Sequence, residues 1–333
     1  MTRNKIKKFA GTTLVRVVML ALVAVWLVSG AAAQECTADS EIDTATYNSL
    51  IQTAGNNLQM AKSGDQASLQ QVSAPVLANS FDGVRASLAT NQAGLQGPMT
   101  VKHVYLLDAT NLTGEPQFFC GIFNANGMTP TSASMTIQGL TPGKYALVVQ
   151  TLNGTPSLMV SQILQQQGAQ WKLAGWFVKQ TTVNGHDWQW FWQQGTQFKQ
   201  QNKPVLAYLY LAQTRDFLSP VSFINTINIE RVSQAIQSIQ SPELPTNGPV
   251  TFQNYKITDM YPIIFNGKYD LVIKHEVPDV SNTAQTFQNN TALLKAWLTA
   301  HPEMRDAFQE IEAWAATPNG QRYETLLAVK DIH

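Results

Sequence analysis

The sequence contains only two cysteines among its 333 residues, and the short motifs that mark common enzyme classes are missing. It has no phosphate loop, no GxGxxG fingerprint, no HExxH zinc helix, no CxxC pair and no GxSxG nucleophile elbow. The five histidines are scattered, and His275-Glu276 with Asp279 nearby lacks the tight spacing of metal ligands. We therefore predict neither a metal site nor a cofactor.

Charge is also scarce. Charged residues make up 13% of the chain, about half of the usual share. The 22 bases balance 22 acids, but five bases and no acid lie in the first 33 residues, so residues 34–333 hold 17 bases against 22 acids. This net charge of about −5 argues against a nucleic-acid partner and against electrostatic attachment to anionic lipid.

A hydrophobic run long enough to cross a bilayer is missing as well. The apolar run from Val17 to Val28 has about 12 residues, whereas a spanning helix needs roughly 20. It follows a basic head and precedes the small residues Ala31 and Ala33, which is the pattern of a cleavable secretory signal. We predict that residues 1–33 are a signal peptide. The mature chain would then begin near Gln34, without a stable membrane anchor, in the periplasm or outside the cell.

The predicted export signal bears on the state of the two cysteines. In an oxidising compartment, Cys36 and Cys120 are expected to form a disulfide. Lipid modification of Cys36 is a rival, but it requires a small residue directly before the cysteine, and Glu35 occupies that place. The disulfide is the favoured interpretation.

Periodicity divides the mature chain into an antiparallel α+β domain over residues 34–180, a helical hairpin over residues 181–240 and a C-terminal α+β unit over residues 241–333. The hairpin is expected to pack on the first domain. In the C-terminal unit, strands on both sides of Asn266-Gly267 precede two helices. The second helix is predicted to begin at Pro302, with a buried stripe formed by Met304, Phe308, Ile311 and Ala315.

Helices followed by five or six antiparallel strands, of which the last reads Trp171-Lys-Leu-Ala-Gly-Trp176, give residues 41–180 a distinctive order of elements. This order resembles the cone-shaped α+β fold of the nuclear-transport-factor-2-like (NTF2-like) superfamily. The resemblance implies a pocket inside a curved sheet, although no catalytic motif of that superfamily is matched. The run from Gly139 to Tyr145 suggests an immunoglobulin-type sandwich as an alternative, but the long helical start disagrees with it.

The first strand after the helices carries the candidate catalytic residues. Strict alternation would place Val101, His103, Tyr105 and Leu107 on one face. If that face lined the cone, His103 and Tyr105 would form a polar pair in an apolar cavity. A histidine and a tyrosine satisfied by hydrogen bonds in the core explain the same residues, and we favour this explanation.

Tryptophans form the most distinctive internal cluster. Trp188, Trp190 and Trp192 are candidate binding residues that would stack on sugar rings, and Trp188 and Trp192 would share a helix face. Packing at the junction between the sheet and the helical hairpin is the alternative, with Trp171 and Trp176 in the core on alternate sides of their strand, and we favour this explanation.

His186 and Asp187 precede this cluster. His186 beside a carboxylate is a possible general base. Asp187 also stands where it would cap a helix that begins at Trp188, and we favour this capping role.

The sequence as a whole favours an exported, non-catalytic protein that binds a small molecule or a glycan. An envelope protein that assembles with others through residues 181–240 is one alternative. A hydrolase or isomerase acting through His103 and Tyr105 is another.

Overall fold

The computed structural model describes residues 35–112, 114–125 and 127–332. The predicted signal peptide, residues 1–33, lies outside these ranges. Within the described ranges, no helix has both the length and the apolar character needed to cross a membrane. The described chain is a mixed α+β structure, as expected, and its sheets are largely antiparallel.

The helices are numbered in chain order. They are α1 (Thr44–Ser63), α2 (Gln66–Gln71), α3 (Pro75–Ala78), α4 (Asp82–Leu95), α5 (Trp188–Gln200), α6 (Pro204–Leu218), α7 (Ile227–Gln237), α8 (Thr283–Ala300) and α9 (Met304–Ala307).

The strands are numbered in the same way. They are β1 (Glu35–Ala38), β2 (Met99–Asp108), β3 (Gln117–Cys120), β4 (Phe123–Asn124), β5 (Gly127–Met128), β6 (Ala133–Thr136), β7 (Lys144–Leu152), β8 (Leu158–Gln167), β9 (Gln170–Gln180), β10 (Ile224–Thr226), β11 (Val250–Phe252), β12 (Tyr255–Phe265), β13 (Lys268–Glu276), β14 (Glu310–Ala316) and β15 (Arg322–Ala328).

The N-terminal sheet has the order β1-β2-β7-β8-β9, with every neighbouring pair antiparallel. One face is covered by α1, α2 and α4, whose buried leucines join Val148, Val160 and Leu164 of the sheet in one apolar cluster. Asp43 starts α1 by accepting a hydrogen bond from the backbone N–H of Thr46.

The opposite face of the N-terminal sheet is covered by a small sheet of order β10-β6-β3. The two sheets are joined covalently, because Cys36 of β1 and Cys120 of β3 form a disulfide with a Cα–Cα distance of 4.8 Å. The predicted disulfide is therefore confirmed. It ties the first described strand to a strand 84 residues further along the chain.

A β-bulge at Lys102 changes the face of β2. Val101 pairs with Gln150 and His103 pairs with Val149, so two residues that alternation places together point to opposite faces. Val101 packs towards the helices, whereas Tyr105 and Leu107 pack under the small sheet. His103 shares their face by alternation but is exposed. The expectation that Val101 shares a face with His103 is wrong for this reason.

A second bulge, at Ala174 in β9, has the same effect. Ile163 pairs with Gly175, but Leu164 already pairs with Leu173. Trp171 and Trp176 consequently both pack on the helix-covered face, and not on alternate sides of the strand.

The C-terminal sheet has the order β11-β12-β13-β14-β15. Helix α8 connects β13 to β14, which pair in parallel. The predicted helix from Pro302 shrinks to the four residues of α9, and Ile311 and Ala315 lie in β14. Pairing with strands on both sides overrides the helical spacing, because a central strand buried on one face also shows apolar residues at Ile311, Ala313 and Ala315.

Residues 181–240 contain three helices and the short strand β10, which is more than the predicted hairpin. Their buried side chains, such as Phe191, Leu206 and Phe217, belong to the same apolar cluster as Leu271, Ile273 and Trp297 of the C-terminal unit. The core of α5 and α6 is thus shared with the C-terminal sheet, and not with the N-terminal sheet as expected.

Candidate functional site

A groove of about 730 Å³ runs between the outer face of the N-terminal sheet and the small sheet. Strands β8 and β9 form one side, and β6 with β10 form the other. Phe177 faces this groove because it alternates with Trp176, which points to the helices.

The floor of the groove is apolar. It is formed by Ile163, Phe177 and Phe223, and the two phenylalanine rings meet edge to face with centroids 6.1 Å apart. Phe177 is 40% exposed, whereas its neighbour Trp176, on the other face of the edge strand β9, is buried. An exposed ring in a concavity offers apolar contact area to a ligand.

The walls carry hydroxyl and amide groups. Ser134 and Thr136 come from β6, and Gln138 follows β6. Ser222 precedes β10, and Asn225 lies in it. The backbone N–H of Thr136 donates to the carbonyl of Phe223, which fixes the distance between these two wall segments. None of the ten lining residues is charged, and none is a histidine, cysteine or tyrosine.

The groove continues into a second hollow of about 450 Å³, which shares Ser222, Ile224 and Asn225 with it. This hollow is charged. Lys179 and Arg215 line it together with Asp216, Ser219 and Ser233.

The tryptophans Trp188, Trp190 and Trp192 lie on α5, away from the residues that line the groove. All three are partly buried against the C-terminal apolar cluster. The Trp190 ring is covered on one face by His186, with centroids 3.9 Å apart and planes 11° apart. Their role as stacking residues for sugars stays a prediction, since the structure uses them at least in part for packing.

Asp187 caps α5, as favoured from the sequence. Its Oδ1 accepts hydrogen bonds from the backbone N–H groups of Gln189 and Trp190 at 3.0 and 3.2 Å. His186 stacks on Trp190 and does not form an ion pair with Asp187 in the described structure.

His103 and Tyr105 are neighbours, but they do not line the groove. Their rings lie 5.7 Å apart, and the Tyr105 side chain is buried in the apolar cluster under the small sheet, where desolvation raises the pKa of its hydroxyl. His103 is half exposed, and its Nδ1 lies 3.0 Å from Oδ2 of Asp39. Oδ1 of Asp39 accepts the backbone N–H of Val104, beside the β2 bulge. Sequence reasoning missed Asp39, because only the pairing of β1 with β2 brings it near.

The histidine considered as a metal ligand has a structural partner. His275 is buried, its Nε2 lies 2.7 Å from Oδ1 of Asn290 on α8, and burial lowers the pKa of its imidazole. Among the described residues, no group of three or more His, Cys, Asp or Glu side chains is arranged to hold a metal ion.

One buried carboxyl group of the C-terminal sheet is only partly hydrogen-bonded. Asp270 is fully buried, and its Oδ2 has no hydrogen-bond partner in the described structure. Burial, and then repulsion by Glu310, raises the pKa of this carboxyl to about 6. Oδ1 accepts the backbone N–H of Glu310 at 3.1 Å. The burial of Asp270 could not be predicted from the sequence. It depends on the pairing of β13 with β14, and the sequence predicted a helix in place of β14.

Comparison of the chain with protein-family models, with curated proteins and with solved structures finds no match in any of the three. The groove, whose volume of about 730 Å³ exceeds that of the neighbouring hollow, is the candidate ligand site. Sequence reasoning did not find it, because its lining comes from four separate segments (134–138, 163, 177 and 222–225) with no motif in common.

Proposed function

We propose that this chain is an exported, non-catalytic binding protein and that its groove takes an oligosaccharide. The observation that carries the proposal is the combination, in one groove of about 730 Å³, of a partly exposed phenylalanine floor with walls of uncharged hydroxyl and amide side chains. Apolar ring faces and hydroxyl groups alternate on a sugar, and such a lining complements both.

The residue types of the groove favour binding over catalysis. General acid–base and nucleophilic catalysis use His, Asp, Glu, Lys, Cys or Tyr, or a serine beside a base, and none of these titratable types lines the groove. Ser134 and Ser222 therefore have no base among the lining residues to activate them.

Two further parts of the proposal concern location and fold. The disulfide between Cys36 and Cys120 supports export, because such bonds persist in oxidising compartments. Helices packed on one face of a five-stranded antiparallel sheet support an NTF2-like fold for residues 41–180. Amino-terminal sequencing of the protein recovered from outside the cytoplasm tests export, and a start near Gln34 is expected.

A glycan array followed by calorimetry on the strongest binders tests the binding function. Phe177→Ala should weaken the binding of those glycans by about tenfold or more, because a buried phenylalanine face is worth about 1.5–3 kcal/mol. Phe287→Ala is the matched control, since Phe287 on α8 is 44% exposed and lies outside the groove.

The control should leave the affinity unchanged. Binding that is equally strong in both variants would move the ligand away from the groove. An array on which no glycan binds would overturn the proposed function.

A further inference from the structure

We infer that the ligand is an acidic oligosaccharide, whose carboxylate pairs with Arg215 in the second hollow while its neutral sugars lie in the uncharged groove. This inference rests on the proposed function and specifies its ligand. The supporting observation is the distribution of charge along two hollows that share three lining residues.

The first step is the neutralisation of Lys179. Its Nζ lies 2.6 Å from Oδ1 of Asp216 and also donates to the backbone carbonyls of Asp216 and Ser219, at 2.8 and 3.1 Å. Lys179 and Asp216 thus satisfy each other, and together they bring no net charge to the hollow.

The second step is the state of Arg215. Within the described residues, its guanidinium has no ion pair and donates no hydrogen bond. Burial and the charge of Asp259 raise the pKa of the nearby Tyr208 hydroxyl, and the charge of Arg215 acts to lower it. Arg215 is therefore the one unneutralised charge among the residues that line the two hollows. Its backbone is fixed, since its carbonyl accepts both the N–H and the Oγ–H of Ser219.

The third step is ligand chemistry. A guanidinium presents two parallel N–H groups that match a carboxylate, and such charge-assisted pairs are about twice as strong as neutral hydrogen bonds. A neutral groove that leads to one free arginine complements an uncharged chain with a single carboxylate, as in an oligosaccharide that ends in an acidic sugar.

A purely structural role for Arg215 is the competing explanation. It lies in the last turn of α6, where a cation interacts favourably with the helix dipole. Such a role predicts a small loss of stability in Arg215→Gln and no change in ligand preference, so the two explanations differ in a measurable way.

Sialyllactose and its methyl ester are suitable probes, because they share a skeleton and differ by one carboxylate charge. Calorimetry should show that the wild-type chain binds the acid about tenfold more tightly than the ester, with a preference that decreases as salt is added. Arg215→Gln should lose this preference and still bind the ester like the wild type. Arg231→Gln is the matched control, since Arg231 is exposed on α7 and lines a different hollow.

Equal binding of acid and ester, or a preference that survives in Arg215→Gln, would overturn the acidic ligand. If acid and ester bind equally, but glycans bind in the groove and Phe177→Ala weakens them, the proposed function stands and only this inference fails. If neither probe and no glycan on the array binds, both fail.

Discussion

The two large sheets of this chain differ in their polar side chains, which are neutral and buried in the N-terminal sheet and charged on one face of the C-terminal sheet. The N-terminal sheet is covered on both faces, and its buried polar side chains are neutral: the amides of Gln150 and Gln162 and the hydroxyl of Ser161. Asn57 of α1 donates to Gln162 of β8 at 3.0 Å, and Gln162 donates to Gln150 of β7 at 2.8 Å.

The C-terminal sheet is covered on one face by α5, α6 and α8, and its other face carries charges. These charges pair across or along the strands as Lys256 with Glu276, Lys274 with Asp259, Lys268 with Glu310 and Arg322 with Glu324. Lys274 also lies over the rings of Tyr261 and Trp314, at 4.7 and 5.0 Å from their centroids.

This difference shows how coverage decides which polar chemistry a sheet can hold. Amides remain neutral when solvent is excluded, whereas charges need water or a close partner. The groove lies against the N-terminal sheet, and like the buried side chains of that sheet, its lining residues are uncharged. Cations cover the tryptophan and tyrosine rings on the open face. The Phe177 ring in the groove is 40% exposed.

Removing the disulfide should have the largest effect and should act on the N-terminal sheet alone. Cys36→Ser with Cys120→Ser releases a closed loop of 84 residues, which is worth ~4 kcal/mol in loop entropy. Urea unfolding should show this loss, and hydrogen exchange should accelerate in β1 and β3. Equal acceleration in β12 to β14 would contradict the separation of the two sheets.

Breaking the amide network should be the next largest change. Gln162→Ala leaves the side chains of Asn57 and Gln150 and the carbonyl of Ala54 without their buried partner, at a cost of ~3 kcal/mol. Chemical unfolding measures this loss. Gln166→Ala on the same strand is the control, since Gln166 is exposed and should change the stability by less than ~0.5 kcal/mol.

Asp270→Asn should stabilise the chain at pH 8 by ~1–3 kcal/mol. The pKa of Asp270 is raised from 3.8 to about 6 in the folded state, so the folded protein holds this proton more tightly than the unfolded chain. The contribution of protonated Asp270 to the free energy of unfolding is fully present below pH 4 and is lost as the pH rises through 6. Asparagine at this position is neutral at every pH.

Thermal unfolding between pH 4 and pH 8 checks this dependence. The advantage of Asp270→Asn should vanish near pH 4. A constant difference across the range would mean that Asp270 does not carry the unpaired charge of the C-terminal sheet.

Asp187→Ala should have the smallest effect, ~1 kcal/mol, because it removes one helix cap from the α5 end of the C-terminal core. Chemical unfolding is again the measurement. Ligand affinity should be unchanged, since α5 does not line the groove; a loss of glycan binding would instead connect the tryptophan cluster with the site.

Local sequence patterns predicted most of the elements and the disulfide. The strands of the N-terminal sheet follow clear alternation, and the cap of α5 was readable from Asp187 and the following residues. The bulge at Lys102 could not be predicted, because no glycine or proline marks it. The bulge at Ala174 is followed by Gly175, and a glycine inside a strand often marks a bulge, but the strict alternation assumed for this strand passed over that signal.

Long-range pairing explains the remaining differences. The helical spacing of Met304, Phe308 and Ile311 suggested a helix. In the structure Ile311 lies in β14, which pairs in parallel with β13. The groove has the same cause. Phe177 and Phe223 are 46 residues apart and become a binding floor only when β10 pairs with β6.

Hydrogen exchange with and without the strongest glycan tests the location of the site most directly. Protection is predicted in residues 134–138 and 222–225 and in β9 around Phe177, with no change in residues 188–192 of α5. Protection confined to residues 188–192 would place the ligand on the tryptophans and would contradict the groove.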